Sequence, residues 1–367
     1  MSRALRVLLV ANDGFSAGHV ARTIAVARGL ARRAAHRAFD LRLLLATTSE
    51  AHALLAEEPL AVVHLPAPLA ARRAGFSDQE RRRLVRGTLE GLADSFAPDL
   101  MVVDTFPSGP HGELAGIGVG RAKRALVRRA VPDARTSDET LSAGLGDYDL
   151  AILADDPFPC ATTLPIPMVR VPPITMGEAG DAKSRHAARA ELGLPAEGRA
   201  ILVAAGGGGD EEALLRATTL AETIARVAPE IIAVLALGPL ARRPAALSSS
   251  IRVISVAPLQ PLLAAFDGAF SPAGYNTAHE LAKAGVPAAL FAQPRPFDDQ
   301  AARVERFAEA SLAHALHDFD DQTVVAALAW MNNHGCRNKA ENLLEAGGAD
   351  RAADALLDLV AGKAAPR

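Results

Sequence analysis

The chain has 367 residues, 50% of them hydrophobic, and carries 39 Lys and Arg against 42 Asp and Glu, for a formal net charge of −3. Single cores stop growing at roughly 250–300 residues, so this length predicts two domains, and the charge lacks the basic excess of a general nucleic-acid binder. The two cysteines, Cys160 and Cys336, stand far apart without His or Cys partners at ligand spacing; they support neither a disulfide framework nor a zinc site and point to the cytoplasm.

In chain order, the apolar run before Asn12 is too short for a signal peptide or a membrane span and reads as a first strand, Arg6–Ala11. Further strand-like runs at Leu41–Ala46, Ala61–Leu65, Leu100–Asp104, Ala125–Val127 and Leu150–Ala154 alternate with helical stretches such as Val20–Arg33. That alternation implies βαβ units and a parallel sheet. Proline-rich segments from Phe158 to Pro167 and at Val171-Pro-Pro173 continue neither element and read as an interdomain crossing, with the boundary near residue 172. Beyond it, Ala200–Ala205, Ile231–Leu237, Ile251–Val256, Gly268–Ser271 and Ala288–Phe291 repeat the strand rhythm. The expected class is therefore α/β, with two doubly wound Rossmann-like domains whose ligands bind at the carboxyl ends of their strands.

Each half opens with a strand, a glycine-rich turn and a helix. In the first, Gly14 and Gly18 permit close approach of a ligand, and His19 lands at the helix start. A helix N-terminus favours the neutral imidazole that a general base needs; a capping or surface histidine is the alternative. The strand ending in Asp104 leads into a Gly/Pro loop with His111 and Glu113, residues placed to orient an acceptor or support His19, or else to close the loop and cap a helix. In the second half, the run from Gly206 to Glu212 lacks the Lys-Ser/Thr of a P-loop, and its three successive acids would repel a lodged phosphate, which argues against a kinase or ATPase. Gly206, Gly207 and Gly208 let backbone N–H groups approach the phosphate edge of a ligand, or serve turn geometry alone, while Asp210 caps the next helix.

The segment Ser271-Pro-Ala-Gly-Tyr-Asn-Thr-Ala-His-Glu280 is the most informative. A buried apolar run, Asp267–Phe270, stops at Pro272-Ala-Gly274, and a helix is expected from Asn276 or Thr277, so free N–H groups and a positive dipole end form an anion site, with Gly274 and Tyr275 beside it as further donor-binding candidates. Glu280, one turn in, has the capacity to accept two hydrogen bonds from a diol such as ribose. The competing reading is a capping box, Thr277-x-x-Glu280, in which the glutamate bonds back to the helix start. Two basic clusters, Arg72-Arg73 with Arg81-Arg82-Arg83 and Arg86, and Arg121 to Arg129, read as solvated helix faces; an anionic acceptor or a peripheral membrane contact is the other use for them.

From Asp267 to Gln300 the sequence resembles the donor-binding half of the glycosyltransferases related to the enzyme that adds N-acetylglucosamine to the lipid-linked muropeptide of peptidoglycan. The resemblance implies that Glu280 binds the ribose of a UDP-sugar, that Gln300 reaches the donor sugar, and that Val256 lies against the uracil and pairs with it through its backbone. It departs at Ala301, where that family often has a second glutamine, and at Pro272, where it has a basic or polar residue. Gly18-His-Val-Ala-Arg22 is similar to the Gly-His-x-x-Arg motif of the UDP-sugar hydrolase of pseudaminic acid biosynthesis, whose histidine activates water. The stretch from Asp99 to Leu114, paired with the Gly-His and Ala-Gly-Tyr-Asn-Thr motifs, resembles a set of uncharacterised predicted glycosyltransferases over nearly the whole chain.

Together these resemblances imply a GT-B fold, with the two domains facing a central cleft: residues 1–172 for the acceptor, 173–345 for the nucleotide-sugar donor, and a helix within 346–367 packing back on the first domain. They imply a hexosyltransferase with His19 and Asp104 catalytic; helix-end N–H donors are expected to carry the leaving-group charge, so that neither metal nor cofactor is required. It would move a sugar from a UDP-sugar, UDP-N-acetylglucosamine or a related hexose, to a small-molecule, glycan or lipid-linked acceptor. A UDP-sugar hydrolase, a sugar-nucleotide epimerase and a non-catalytic sugar-nucleotide binder are the alternatives.

Overall fold

The computed structural model describes residues 4–12, 17–56, 58–129, 139–155, 163–177, 181–207, 209–244, 247–295, 298–333 and 345–363. Gly14, Gly208, Cys160 and Cys336 lie outside them. The chain divides into two compact units, one running to Ile174 and resuming at Gly347, the other Thr175–Ala346.

The first unit is built on strands β1 (Leu5–Ala11), β2 (Leu41–Thr47), β3 (Ala61–His64), β4 (Leu100–Asp104), β5 (Lys123–Arg129), β6 (Leu150–Ala154) and β7 (Met168–Val171). Their order in the sheet is β3-β2-β1-β4-β5-β6-β7, and every pairing is parallel. Strands β4 and β6 are buried along their full length. Continuous apolar runs of this kind belong to parallel strands covered on both faces. The order reverses between β1 and β4, which makes the loops after these two strands the switch point where ligands bind in doubly wound sheets. Helices α1 (Gly18–His36), α2 (Pro68–Arg73), α3 (Asp78–Phe96) and the short α4 (Glu139–Ser142) connect the strands. The proline-rich tract is more than a crossing, because its end supplies β7 as a seventh strand beside β6.

The second unit repeats the plan with β8 (Ala200–Ala204), β9 (Ile232–Ala236), β10 (Ile251–Ile254), β11 (Gly268–Pro272), β12 (Ala288–Phe291) and β13 (His314–Ala315), ordered β10-β9-β8-β11-β12-β13. All pairings are again parallel, and the switch point falls between β8 and β11. Its helices are α5 (Arg185–Glu191), α6 (Glu211–Val227), α7 (Tyr275–Lys283), α8 (Gln300–Glu309) and α9 (Asp321–Asn333). Among the described residues, no helix is long and apolar enough to cross a membrane.

The last helix, α10 (Gly348–Val360), packs in the first unit against α1. The approach is close at Gly29, where an added Cβ would lie 2.5 Å from the Ala349 carbonyl oxygen. Beside that contact runs a charge ladder: Arg32 meets Asp350 at 2.7 Å, Arg33 and Arg37 meet Asp354 at 2.9 and 2.7 Å, and Arg37 also meets Asp358 at 2.7 Å. The acids recur every fourth residue, so they share one face of α10. These pairs are part-exposed and individually contribute little; the tight backbone contact sets the spacing.

Gly29→Ala therefore separates packing from propensity. In an open helix the change stabilises by about 0.5–1 kcal/mol, and Gly87→Ala on α3, where nothing lies within 4 Å of the new Cβ, should show that gain. At Gly29 the methyl must push α10 away, so urea unfolding should show a loss of about 1–3 kcal/mol. Equal gains at both positions would contradict the close packing.

Candidate active site

In the first unit the polar groups at the switch point gather on one carboxylate. Asp104 ends β4, and its Oδ2 lies 2.5 Å from His19 Nδ1 at the first turn of α1. Arg22, three residues further along the same helix face, donates Nε to Oδ1 at 2.7 Å and Nη2 to Oδ2 at 2.8 Å. Nη2 also reaches the Thr105 hydroxyl at 2.6 Å, and that hydroxyl donates to Oδ2 at 2.9 Å. Asp104 and Arg22 are both only 4% exposed, whereas the His19 side chain keeps 25% of its surface in contact with solvent. Burial alone would raise the Asp104 pKa, but Arg22 and His19 outweigh it and hold the carboxyl at about 2. Since the carboxylate accepts, Nδ1 carries the proton, and in the neutral imidazole Nε2 keeps its lone pair, the arrangement a general base needs.

The loop after β4 is pinned from several sides. Tyr148 donates its hydroxyl to the Pro107 carbonyl at 2.6 Å, and Ser108 donates to the Ala143 carbonyl at 2.8 Å. Glu113 is buried and accepts from the Asn12 amide at 3.2 Å and from the His111 backbone N–H at 2.8 Å. Its carboxylate thus points into the protein, where it ties this loop to the end of β1, while His111 itself is exposed. Gly18 is the first residue of α1.

In the first basic cluster Arg72, Arg73, Arg82 and Arg83 are exposed on α2 and α3, as a solvated helix face requires, but Arg81 and part of the second cluster are buried. Arg81 is 1% exposed and lies 4.0 Å from Glu113. Strand β5 is buried from Arg124 to Arg128, with the two arginines on one face at 8% and 1% exposure. Arg124 stacks over the Tyr148 ring, and Arg128 donates to the Leu141 carbonyl at 2.9 Å. None of these three is available to a membrane surface. The Arg-rich run belongs to a strand of period two, whose buried residues a helical reading leaves outside.

In the second unit, α7 starts at Tyr275, one residue earlier than the sequence suggests, because Gly274 takes the extended N-cap conformation and no side chain caps it. Thr277 is thus inside the first turn, and the capping box with Glu280 does not form. Instead Glu280 accepts from the Met176 N–H at 3.4 Å. Surrounding protein desolvates this carboxyl and raises its pKa to about 7, against weaker lowering by the Met176 N–H and Lys283. Tyr275 turns its ring inward, 4.5 Å from the buried His279 ring and beneath the Arg303 guanidinium, 5.5 Å away. Asn276 and Thr277 are half-buried in the same first turn.

Around α7 stand the other loops at the carboxyl end of the sheet. Gly206 has φ +75, and a Cβ on Gly238 would lie 2.1 Å from its carbonyl oxygen, so the Gly206-Gly207 turn rests directly on backbone. Asp210 caps α6 through the Glu212 and Ala213 N–H groups and pairs with Arg295 at 2.9 Å. Gln300 is 5% exposed; its Oε1 accepts from Gln293 N–H at 3.1 Å and its Nε2 donates to Asp298 at 3.2 Å. Both ends of this side chain are used to brace the loop after β12. Val256 follows β10 and is half-buried.

Two Asp-x-Asp pairs occur, Asp147/Asp149 and Asp318/Asp320. Asp149 is engaged by Lys123 and by the Arg124 N–H, each at 2.8 Å, and Asp320 accepts from the Thr323 N–H at the start of α9. Among the described residues, no three His, Cys, Asp or Glu side chains are grouped to hold a metal.

No protein-family model and no curated protein matches the sequence. Solved structures do match the whole chain. CalG4, the calicheamicin glycosyltransferase, is 17% identical and superposes with a TM-score of 0.65 over 100% of both chains. SnogD, a glycosyltransferase from Streptomyces nogalater, is 15% identical, with a TM-score of 0.63 over 98% of this chain and 100% of its own. The fold is GT-B. VinC, a glycosyltransferase solved in complex with DTDP, is 16% identical and matches at 0.59 over 98% of each chain.

Within this GT-B chain, the structure brings His19 and Asp104 together, and gathers Gly206, Gly207, Gly274, Asn276, Thr277 and Glu280 at the carboxyl end of the second sheet. Glu113, Gln300 and the Tyr275 ring face inward instead. Arg22 stands in the Gly-His-x-x-Arg motif without a role that the sequence assigns, and nothing in the sequence singles out Thr105. The signal for Arg22 was its spacing of three from His19, which puts both on one helix face.

Asp104 also sets a pH signature. Its carboxyl is held below the ordinary 3.8, at about 2, so its stabilising contribution is complete above pH 4 and is lost as pH falls through 2. In urea titrations Asp104→Asn should be less stable at neutral pH and should show a shallower loss than the wild type between pH 4 and 2. Parallel pH curves would mean that Asp104 is not held ionised by its neighbours.

Proposed function

We propose that the chain is a glycosyltransferase that moves a sugar from a nucleoside-diphosphate donor to an acceptor hydroxyl, with His19 as the base. The observation that carries this reading is the His19–Asp104 contact, which commits Nδ1 and leaves Nε2 to take a proton. In the reaction Nε2 removes the acceptor proton, the acceptor oxygen bonds to the anomeric carbon, and the bond from that carbon to the diphosphate oxygen breaks. A single displacement of this kind inverts the anomeric centre. The diphosphate departs with its charge, for which the uncapped start of α7 offers N–H donors and the positive end of a helix dipole. That stabilisation calls for no divalent cation.

Glu280 is read as the ribose ligand. In the free protein its carboxyl has one weak backbone partner and a pKa of about 7, and two sugar hydroxyls would supply the hydrogen bonds that its ionised form lacks. Sequence resemblance to the peptidoglycan N-acetylglucosaminyltransferases favours UDP, with Val256 beside the base. The likeness to VinC, solved with DTDP, favours a thymidine donor, whose deoxyribose offers one hydroxyl fewer. A hydrolase reading is supported by the Gly18-His-Val-Ala-Arg22 motif and differs only in placing water where the acceptor hydroxyl stands. The sparse cysteines fit a cytoplasmic enzyme.

Calorimetry with UDP, dTDP and GDP, followed by mass analysis of products from a nucleotide-sugar panel with and without added acceptor alcohols, tests these readings. His19→Ala should lower kcat about 10²–10⁴-fold and leave nucleotide affinity nearly unchanged. Glu280→Ala should weaken the ribonucleotide by about 10-fold or more, the order expected for losing hydrogen bonds to a charged group, and should weaken dTDP less. EDTA should leave turnover intact. Turnover preserved in His19→Ala would overturn the base assignment, and sugar released only to water when acceptors are present would overturn the transferase reading.

A further inference from the structure

The Asp104 carboxylate receives more than a His–Asp pair requires. Besides His19 Nδ1 at 2.5 Å, it takes the Arg22 fork on both oxygens, at 2.7 and 2.8 Å, and the Thr105 hydroxyl at 2.9 Å. We infer that Arg22 is the positioning residue of this site: its guanidinium fixes the plane of the Asp104 carboxylate, and thereby which imidazole nitrogen of His19 is protonated and which is free.

The terminal torsion of an aspartate is broad and roughly two-fold. A carboxylate at the end of a strand, held by one histidine and one hydroxyl, can rotate and offer either oxygen. A planar guanidinium bonded to both oxygens removes that freedom, because two parallel N–H bonds define the carboxylate plane. The arrangement is local in sequence on one side and distant on the other. His19 and Arg22 occupy successive turns of one face of α1, so their spacing is set by the helix, and Asp104 is brought to them by the adjacency of β1 and β4.

Thr105 supports the same assignment. It has φ +62, a left-handed conformation that β-branched residues rarely adopt. Two contacts hold it there, its backbone N–H on the Val127 carbonyl at 2.8 Å and its hydroxyl in the Arg22–Asp104 cluster. The strained residue closes the cluster from the β4 side, while Arg22 closes it from α1. On its other side His19 meets the Phe106 ring, with centroids 5.5 Å apart.

The charges lead to the same conclusion. Among the described residues, the charged groups acting on Asp104 are Arg22 from α1 and His19 from the same helix. Arg22 and Asp104 together carry no net charge, so what they give the imidazole is chiefly orientation rather than a full negative charge. The inference uses the reading of His19 as base only for its consequence in turnover; the geometric part stands apart from it.

NMR of the full-length protein labelled with ¹⁵N-histidine tests it, with His19→Gln used to assign the His19 signals. The wild type at neutral to slightly alkaline pH should show a protonated Nδ1, with a downfield proton from the short bond to Asp104, and an unprotonated Nε2. Arg22→Lys keeps the charge and loses the fork. It should broaden or lose the downfield proton and shift Nδ1 and Nε2 toward a mixture of tautomers. Arg22→Gln should do the same, and if it fails to fold, Arg22→Lys decides. Where turnover is measurable, both variants should lose at least about ten-fold in kcat with donor KM within about two-fold, the pattern of an effect on proton transfer. A folded Arg22→Lys protein with the wild-type His19 spectrum would overturn the inference. Expected spectra combined with full activity in His19→Ala would leave Arg22 as the positioning residue and remove the base assignment instead.

Discussion

Asp104, buried, and Glu280, half-buried, are two carboxylates in opposite surroundings, and the functional reading depends on that contrast. Asp104 is compensated within its own unit: Arg22, His19 and Thr105 satisfy both oxygens, and the group stays ionised down to about pH 2. Glu280 is desolvated with one long backbone hydrogen bond and is pushed to about 7. The first group is a finished support for a neighbouring imidazole. The second is an acceptor whose ionised form lacks partners that a ligand would bring. Environments that drive two carboxyls apart in this way assign them different tasks.

Both groups stand where the parallel topology puts them. In each unit the strand order reverses beside the central strand, and the loops at the carboxyl ends of the flanking strands carry the polar residues. Helix α1 links this site to the packing of its unit. Its first turn holds His19 and Arg22, and its later turns hold Gly29, Arg32, Arg33 and Arg37 against α10. The C-terminal helix therefore bears on the element that carries His19, although among the described residues it contributes no side chain to the cluster on Asp104.

The fold was legible in the sequence because buried parallel strands are continuous apolar runs. Leu100–Asp104, Leu150–Ala154 and Ala288–Phe291 have the same bounds in sequence and structure. Two strands were not legible. Met168–Val171 follows a proline-rich tract, and His314–Ala315 is two residues long. The start of α7 moved by one residue because a glycine took the N-cap position that the pattern assigned to a polar side chain. Within the site, residue type identified His19 and Asp104, which three-dimensional pairing then joined. Direction was the hidden quantity. Glu113, Gln300 and the ring of Tyr275 all lie on elements near the carboxyl ends, but each faces protein partners. Arg81, Arg124 and Arg128 were concealed for the same reason, since a run of arginines gives no sign of which ones lie buried on a strand or turn beneath a helix.

The most direct test of this account is a crystal structure of the protein with bound UDP. The account requires the diphosphate oxygens to receive backbone N–H groups from the first turn of α7, and Glu280 to leave the Met176 N–H and accept from the ribose hydroxyls. A nucleotide bound elsewhere, or one bound there while Glu280 keeps its backbone contact and touches no ribose oxygen, would contradict it.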